Sequence, residues 1–221
     1  MTKIEQIQHA IAEANFFRSK LTPEARAVPG YTSLKIRHLM NNLGAISTRM
    51  CEIGTHKGGT FCSAIFGNEN LVEATAVDNF SEFSEEGSPM QELLTNVGKF
   101  NPQGTKFRLI TKDCWGPIDN PPSNVDFFSF DGDHSLESQK NAMTHFIPWM
   151  ADEFIFCVDD ASAWPFVKEG MNQGIALAEL RYKLKNLPGY KVLWSQELWD
   201  GIEGNNFGFH NGFWVGLMTK V

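Results

Sequence analysis

A chain of 221 residues, 42% of them hydrophobic, is long enough for one α/β domain with a sizeable core. Its formal charge of −7 and the absence of any run of Lys or Arg argue against nucleic acid as the main partner, because phosphate binding needs clustered cations. No apolar run approaches the ~20 residues of a membrane span, and Cys51, Cys62, Cys114 and Cys157 form no CxxC pair of the zinc or redox kind.

The first predicted element is an amphipathic helix over Ile4–Phe17, with Ile4, Ile7, Ile11 and Ala14 at helical spacing. Glu5, Gln8 and Glu13 interrupt its apolar content, so a secretory signal is not expected. With Cys51 and Cys157 reading as reduced core thiols, the expected location is the cytoplasm, with no membrane partner. Val28-Pro29-Gly30 is a turn before a second helix, Ser33–Asn42. From there strands and helices alternate: strand Arg49–Gly54, helix Thr60–Phe66, strand Glu73–Asp78, helix Met90–Phe100 and strand Lys106–Thr111. Strand Val125–Asp131, helix Leu136–Trp149, strand Glu153–Asp159 and helix Gly174–Asn186 follow, then strands Tyr190–Leu198 and Gly212–Met218. This order predicts an α/β fold, a Rossmann-like three-layer sandwich around a mostly parallel seven-stranded sheet. The last two strands have no helix between them, so the final strand is expected to be antiparallel. The whole chain, 1–221, reads as a single domain on which the N-terminal helices (1–45) pack. A homo-oligomer is compatible with this reading.

In open α/β sheets chemistry sits beyond the carboxyl ends of the strands, near the point where strand order reverses. The first strand ends in Glu52-Ile53-Gly54-Thr55-His56-Lys57-Gly58-Gly59-Thr60. Gly54 permits a sharp exit from the strand, while Gly58 and Gly59 let backbone approach a ligand closely. The second strand ends in Asp78, an acid placed to accept both hydroxyls of a ribose. These two features identify a nucleoside without naming the cofactor. A nicotinamide oxidoreductase shares them, but the dinucleotide GxGxxG is missing.

EIGTHKGGT resembles the first motif of class I S-adenosylmethionine (SAM)-dependent methyltransferases, which carries an acid before the first glycine. DFFSFDGDH and FIFCVDDAS are similar to later strand motifs of a subgroup that includes macrocin and rhamnosyl O-methyltransferases, cephalosporin-type proteins and, more distantly, catechol O-methyltransferase. The likeness covers roughly Thr32 to Ser162. It implies that Glu52, Gly54, Thr55, Lys57, Gly58, Gly59 and Thr60 hold the methionine part of SAM and that Asp78 holds the ribose. Asp113 would face the adenine, with Asn79, Cys114 and Trp115 as adenosine neighbours and Asp131 bordering the cofactor. Trp115 reads equally well as a packing residue.

Asp131, Asp159 and Asp160 should converge if the fourth and fifth strands are neighbours. Uncompensated carboxylates repel and raise one another's pKa, a conflict that a divalent cation such as Mg²⁺ removes. A metal also acidifies a hydroxyl that is a poor nucleophile while protonated. The resemblance implies His134 as the base that takes the proton, with Asp131 beside it. Asp133 either orients the imidazole or caps the next helix. The expected function is therefore methyl transfer from SAM to a hydroxyl of a small molecule or glycan, assisted by a metal. The alternatives are a metal-independent N- or O-methyltransferase and a catalytically idle SAM-binding domain. Phe80–Ser88 reads as a lid or a solvated connection, and Trp199–Trp214 as an acceptor-pocket wall or an aromatic hairpin.

Overall fold

The computed structural model describes residues 1–82, 87–185 and 189–221. Helix α1 (Lys3–Asn15) begins in a capping box: the Thr2 hydroxyl accepts from the Glu5 amide at 3.3 Å, and the Glu5 carboxylate accepts from the Thr2 amide at 2.7 Å. Its buried stripe is Ile7, Ala10, Ile11 and Ala14. A short α2 (Pro23–Arg26) precedes α3 (Leu34–Gly44), which Ser33 caps. Periodicity gives no sign of α2, because one turn is too short to show a repeat. α1 packs on α3, and α3 on α4 (Gly59–Ile65).

The strands are β1 (Arg49–Ile53), β2 (Glu73–Val77), β3 (Lys106–Ile110), β4 (Val125–Phe130), β5 (Met150–Asp159), β6 (Tyr190–Leu198) and β7 (Phe213–Lys220). They form one seven-stranded sheet in the order β3-β2-β1-β4-β5-β7-β6. The pairs from β3 through β5 are parallel, and β7 runs antiparallel to both β5 and β6. Helices α5 (Pro89–Phe100), α6 (Leu136–His145) and α7 (Pro165–Lys185) complete the layers. This is the expected mostly parallel Rossmann-like sandwich with a reversed last strand.

Alternation along the strands divides the core. Met50, Phe127, Ile155 and Cys157 join the side chains of α1, α3, α4 and α5, whereas Cys51, Phe128, Phe130 and Phe156 join those of α6 and α7. The same period of two assigns Glu52, Asp131 and Asp159 to the first face, at the carboxyl ends of β1, β4 and β5. Strand order reverses between β1 and β4, so these acids border the crevice where such folds bind ligands.

Two helices depart from expectation. The helix expected over Gly174–Asn186 begins at Pro165, and its expected end at Asn186 lies outside the described residues. Gly170 and Gly174 both lie inside this helix. A Cβ on Gly170 would stand 2.4 Å from the Leu136 carbonyl oxygen, and one on Gly174 2.5 Å from that of Lys140. These glycines let α7 lie directly on the backbone of α6. The helix expected over Leu136–Trp149 stops at His145. Pro148 has no amide to donate, and Ile147–Trp149 form a 3-10 turn that starts β5 at Met150 rather than Glu153. No helix among the described residues is long and apolar enough to cross a membrane.

Candidate active site

The β1–α4 turn needs its glycines for stated reasons. Gly54 has φ +81°, and a Cβ there would stand 1.8 Å from the Asp131 carbonyl oxygen, so the turn can cross the end of β4 only without a side chain. Gly58, at φ +89°, starts α4. Thr55 and Thr60 are buried, and Lys57 pairs with Glu92 at 3.4 Å. Glu52 is fully buried, and neither carboxylate oxygen has a hydrogen-bond partner. Burial pushes its pKa well above the usual range; Thr60 opposes this, while Asp131 and Asp78 push the same way. Burial thus disfavours the charged form of this carboxyl beside the turn.

Two N-terminal residues join this turn, and the sequence reading missed both. Tyr31 stacks on His56, with ring centroids 5.6 Å apart. Arg37, nearly buried in α3, donates to the Gly59 carbonyl at 3.1 Å and to the Gly30 carbonyl at 3.4 Å, and burial lowers its pKa to about 10. A signal was present: Arg37 stands among buried positions with no acid one helical turn away.

Asp78 ties two loops together, its Oδ2 accepting from the His56 amide and its Oδ1 from the Phe80 amide, each at 2.7 Å. Each oxygen keeps lone-pair capacity for a ligand hydroxyl. Asn79 is exposed and accepts from the Ser81 amide and hydroxyl. Asp113, also exposed, accepts from the Trp115 amide at 3.0 Å. The Cys114 thiol is pushed up to about 12 by burial and then by Asp113. Trp115 packs against Phe130, His145 and Phe146, with centroids 6.1, 5.3 and 5.5 Å away. Residues 83–86 of the Phe80–Ser88 stretch, Phe83, Glu85 and Glu86 among them, lie outside the described residues.

At the ends of β4 and β5 the structure gathers Asp131, His134 and Asp160, one ligand atom from each lying within 4.8 Å of the others. His134 Nε2 stands 3.2 Å from Asp160 Oδ2 and 3.7 Å from Asp131 Oδ1. Asp159 is not in this group. It is 3% exposed, and its Oδ1 accepts from the Asp160 amide at 2.9 Å. Asp160 takes a left-handed φ of +55°, which ends the strand and brings its carboxylate to His134. Asp131, Asp160 and His134 thus share one cluster, and Asp159, whose pKa Asp131 and Asp160 both raise, stands behind them.

Electrostatics ties the group together. Burial raises the Asp131 pKa to about 6, against the pull of His134. Burial also raises that of Asp159, and Asp131 and Asp160 add to it. Asp131 raises the pKa of His134; burial opposes this, and Asp160 and Asp133 support it. The helix cap is Ser135, whose hydroxyl accepts from the Ser138 amide, rather than Asp133. Asp133 instead accepts from the Ser135 amide and hydroxyl, holding the cap. Ser135 takes the role because it directly precedes the first helical residue.

No family model matches the sequence, and a search of curated proteins finds no match. Solved structures do resemble it. TrmN from Thermus thermophilus has a TM-score of 0.55 at 11% identity, over 90% of this chain and 52% of that one. The O-methyltransferase TomG from Streptomyces achromogenes, in complex with SAM, has 0.50 at 14%, over 97% and 90%. M. capricolum TrmK, bound to S-adenosylhomocysteine, has 0.50 at 15%, over 80% and 66%. At these identities the likeness is one of fold, and the fold is the Rossmann-like one found in SAM-dependent methyltransferases.

Proposed function

We propose that the protein is a SAM-dependent methyltransferase that methylates a hydroxyl of a small molecule or glycan, with residues 1–221 acting as one domain. The observation that carries this reading is a single sheet edge holding a buried, partnerless Glu52 at the glycine turn and an Asp131–His134–Asp160 cluster beside it. When bound, SAM supplies a methyl group on a positively charged sulfur that leaves as a neutral thioether. The cradle fits it. Glu52 offers two free acceptor oxygens to the cationic methionine end, and Gly54, Gly58 and Gly59 let the turn pack closely on Asp131, Leu93 and Arg37 beside it. Asp78 faces the ribose hydroxyls, with Asn79, Asp113, Cys114 and Trp115 toward the base.

With so good a leaving group, the protein mainly has to align an oxygen about 3 Å from the methyl carbon and remove its proton. His134 takes that proton on its imidazole, and Asp131 and Asp160, which face its buried Nε2, stabilise the imidazolium. Asp131 and Asp160, with Asp159 behind them, would hold a divalent cation such as Mg²⁺, which supplies Lewis acidity to the hydroxyl. A second reading has its own support. The contacts of His134 with Asp160 and Asp131 already form an acid–imidazole group able to handle the proton without a metal. Calorimetry with SAM tests the cofactor, and absence of binding refutes the proposal. Turnover after exhaustive EDTA treatment separates the two readings: a loss that Mg²⁺ restores supports the cation, and full retention supports the imidazole alone.

A further inference from the structure

Three segments meet beyond the carboxyl edge, at the mouth of the acid cluster. The β6–β7 connection is tied to the start of α3, where the Leu34 amide donates to the Asn206 carbonyl at 3.0 Å and the Ser33 hydroxyl to the Gly208 carbonyl. On its other side it is tied to the β5–α7 connection: Ala161 donates to the Gly212 carbonyl, and Ser162 and Ala163 to that of Asn211. These segments leave large apolar side chains in solvent, among them Tyr31, Trp164, Trp199 and Phe207. Trp164 stands out because its backbone is fixed. Its carbonyl accepts from the Val167 and Lys168 amides, and Pro165 opens α7 behind it. Its ring, 42% exposed, lies 5.8 Å from the His134 ring at an angle of 38°.

We propose that Trp164 is the platform on which the ring of the methyl acceptor rests, and that this acceptor is a small, uncharged, ring-bearing hydroxyl compound. The inference rests on the methyltransferase reading and specifies its substrate. A rigid, half-exposed indole beside the proton acceptor offers a flat apolar face to a ring while the ring's hydroxyl reaches Asp131, His134 and Asp160. A nucleobase of RNA could use the same face, but the charge of the mouth opposes it. Residues 28–36, 160–168 and 198–212 contain two lysines. Lys168 is paired with Glu197 at 2.7 Å, and Lys35 lies over the Phe209 ring. Asp131, Asp133 and Asp160 stand around His134, and the β6–β7 connection adds Asp200 and Glu203, so a phosphate backbone would meet negative charge without the clustered cations it requires.

The test uses the full chain as wild type, Trp164→Ala and Trp164→Phe. The probes are methyl gallate, 4-nitrophenyl β-D-glucoside and an unmodified tRNA transcript. Binding is measured by calorimetry with S-adenosylhomocysteine present and absent, and transfer with tritiated SAM. At least one ring compound should bind, Trp164→Ala should weaken it roughly tenfold, and Trp164→Phe should retain most of the affinity. The SAM dissociation constant should stay unchanged in both variants. Equal ring affinity in Trp164→Ala, no binding of either ring compound, or labelling of the tRNA each overturns the proposal. Ring binding that Trp164→Ala weakens, in a protein that does not bind SAM, keeps the platform and removes the methyltransferase reading.

Discussion

Replacing Glu52 with Gln tests the electrostatics of the cofactor cradle most directly. Glu52 is fully buried with no hydrogen-bond partner, and burial raises its pKa. In the unfolded chain it titrates near the ordinary value of about 4.3. Between that value and the raised folded one, the native state binds more protons than the unfolded state. Stability is therefore fully present below the unfolded pKa and falls as pH rises, by up to about 1.4 kcal/mol per pH unit from this one group. Gln keeps the volume and cannot ionise, so the variant should lose that slope, whatever constant offset its amide introduces. Asp131 and Asp159 contribute slopes of the same sign in both proteins, so the difference between the curves reports Glu52 together with its coupling to these two acids. Urea unfolding of the ligand-free protein at half-unit steps from pH 5 to pH 8 provides the measurement. Parallel curves would refute the raised pKa of this buried carboxyl. The variant should also bind SAM more weakly, because an amide offers no charge to the methionine end.

The sheet was legible because its strands are short apolar runs with acids at their ends, a pattern that depends only on local spacing. Glu52, Asp78 and Asp131 stand out as candidates for that reason, and alternation alone assigns Glu52, Asp131 and Asp159 to one face. That Asp160 is the acid of the β5 end facing His134 could not be read, because it depends on the backbone there, where Asp160 has φ +55°. The role of Gly170 and Gly174 inside α7 was illegible for a related reason. Their meaning lies in the α6 backbone 2.4–2.5 Å from where a Cβ would stand, which is a tertiary fact. Arg37 and Tyr31 reach the glycine turn from a segment distant in sequence, and helical periodicity is silent about such contacts.

Gly54→Ala should destabilise the fold by roughly 2–5 kcal/mol, from left-handed strain and overpacking together; a urea midpoint like that of wild type would contradict the close approach to Asp131. Asp78→Ala removes the acceptors of the His56 and Phe80 amides and of the ribose, and should weaken SAM by roughly 1.5–3 kcal/mol in calorimetry. The acid cluster makes a sharper demand, best read in EDTA-treated protein by NMR titration of the His134 ring. Asp131 and Asp160 hold its pKa up, so its midpoint should lie above the ordinary imidazole value of about 6.5. Asp160→Asn removes a charge 3.2 Å from Nε2 and should lower the midpoint by roughly one unit. Asp159→Asn should move it less, since the Asp159 Oδ1 is turned onto the Asp160 amide. Divalent-cation affinity, measured separately with Mn²⁺, should follow the same ranking, with Asp160→Asn losing more than Asp159→Asn. A midpoint indifferent to Asp160 would mean that the carboxylate and imidazole do not act together, and the cluster would then be a solvated strand edge.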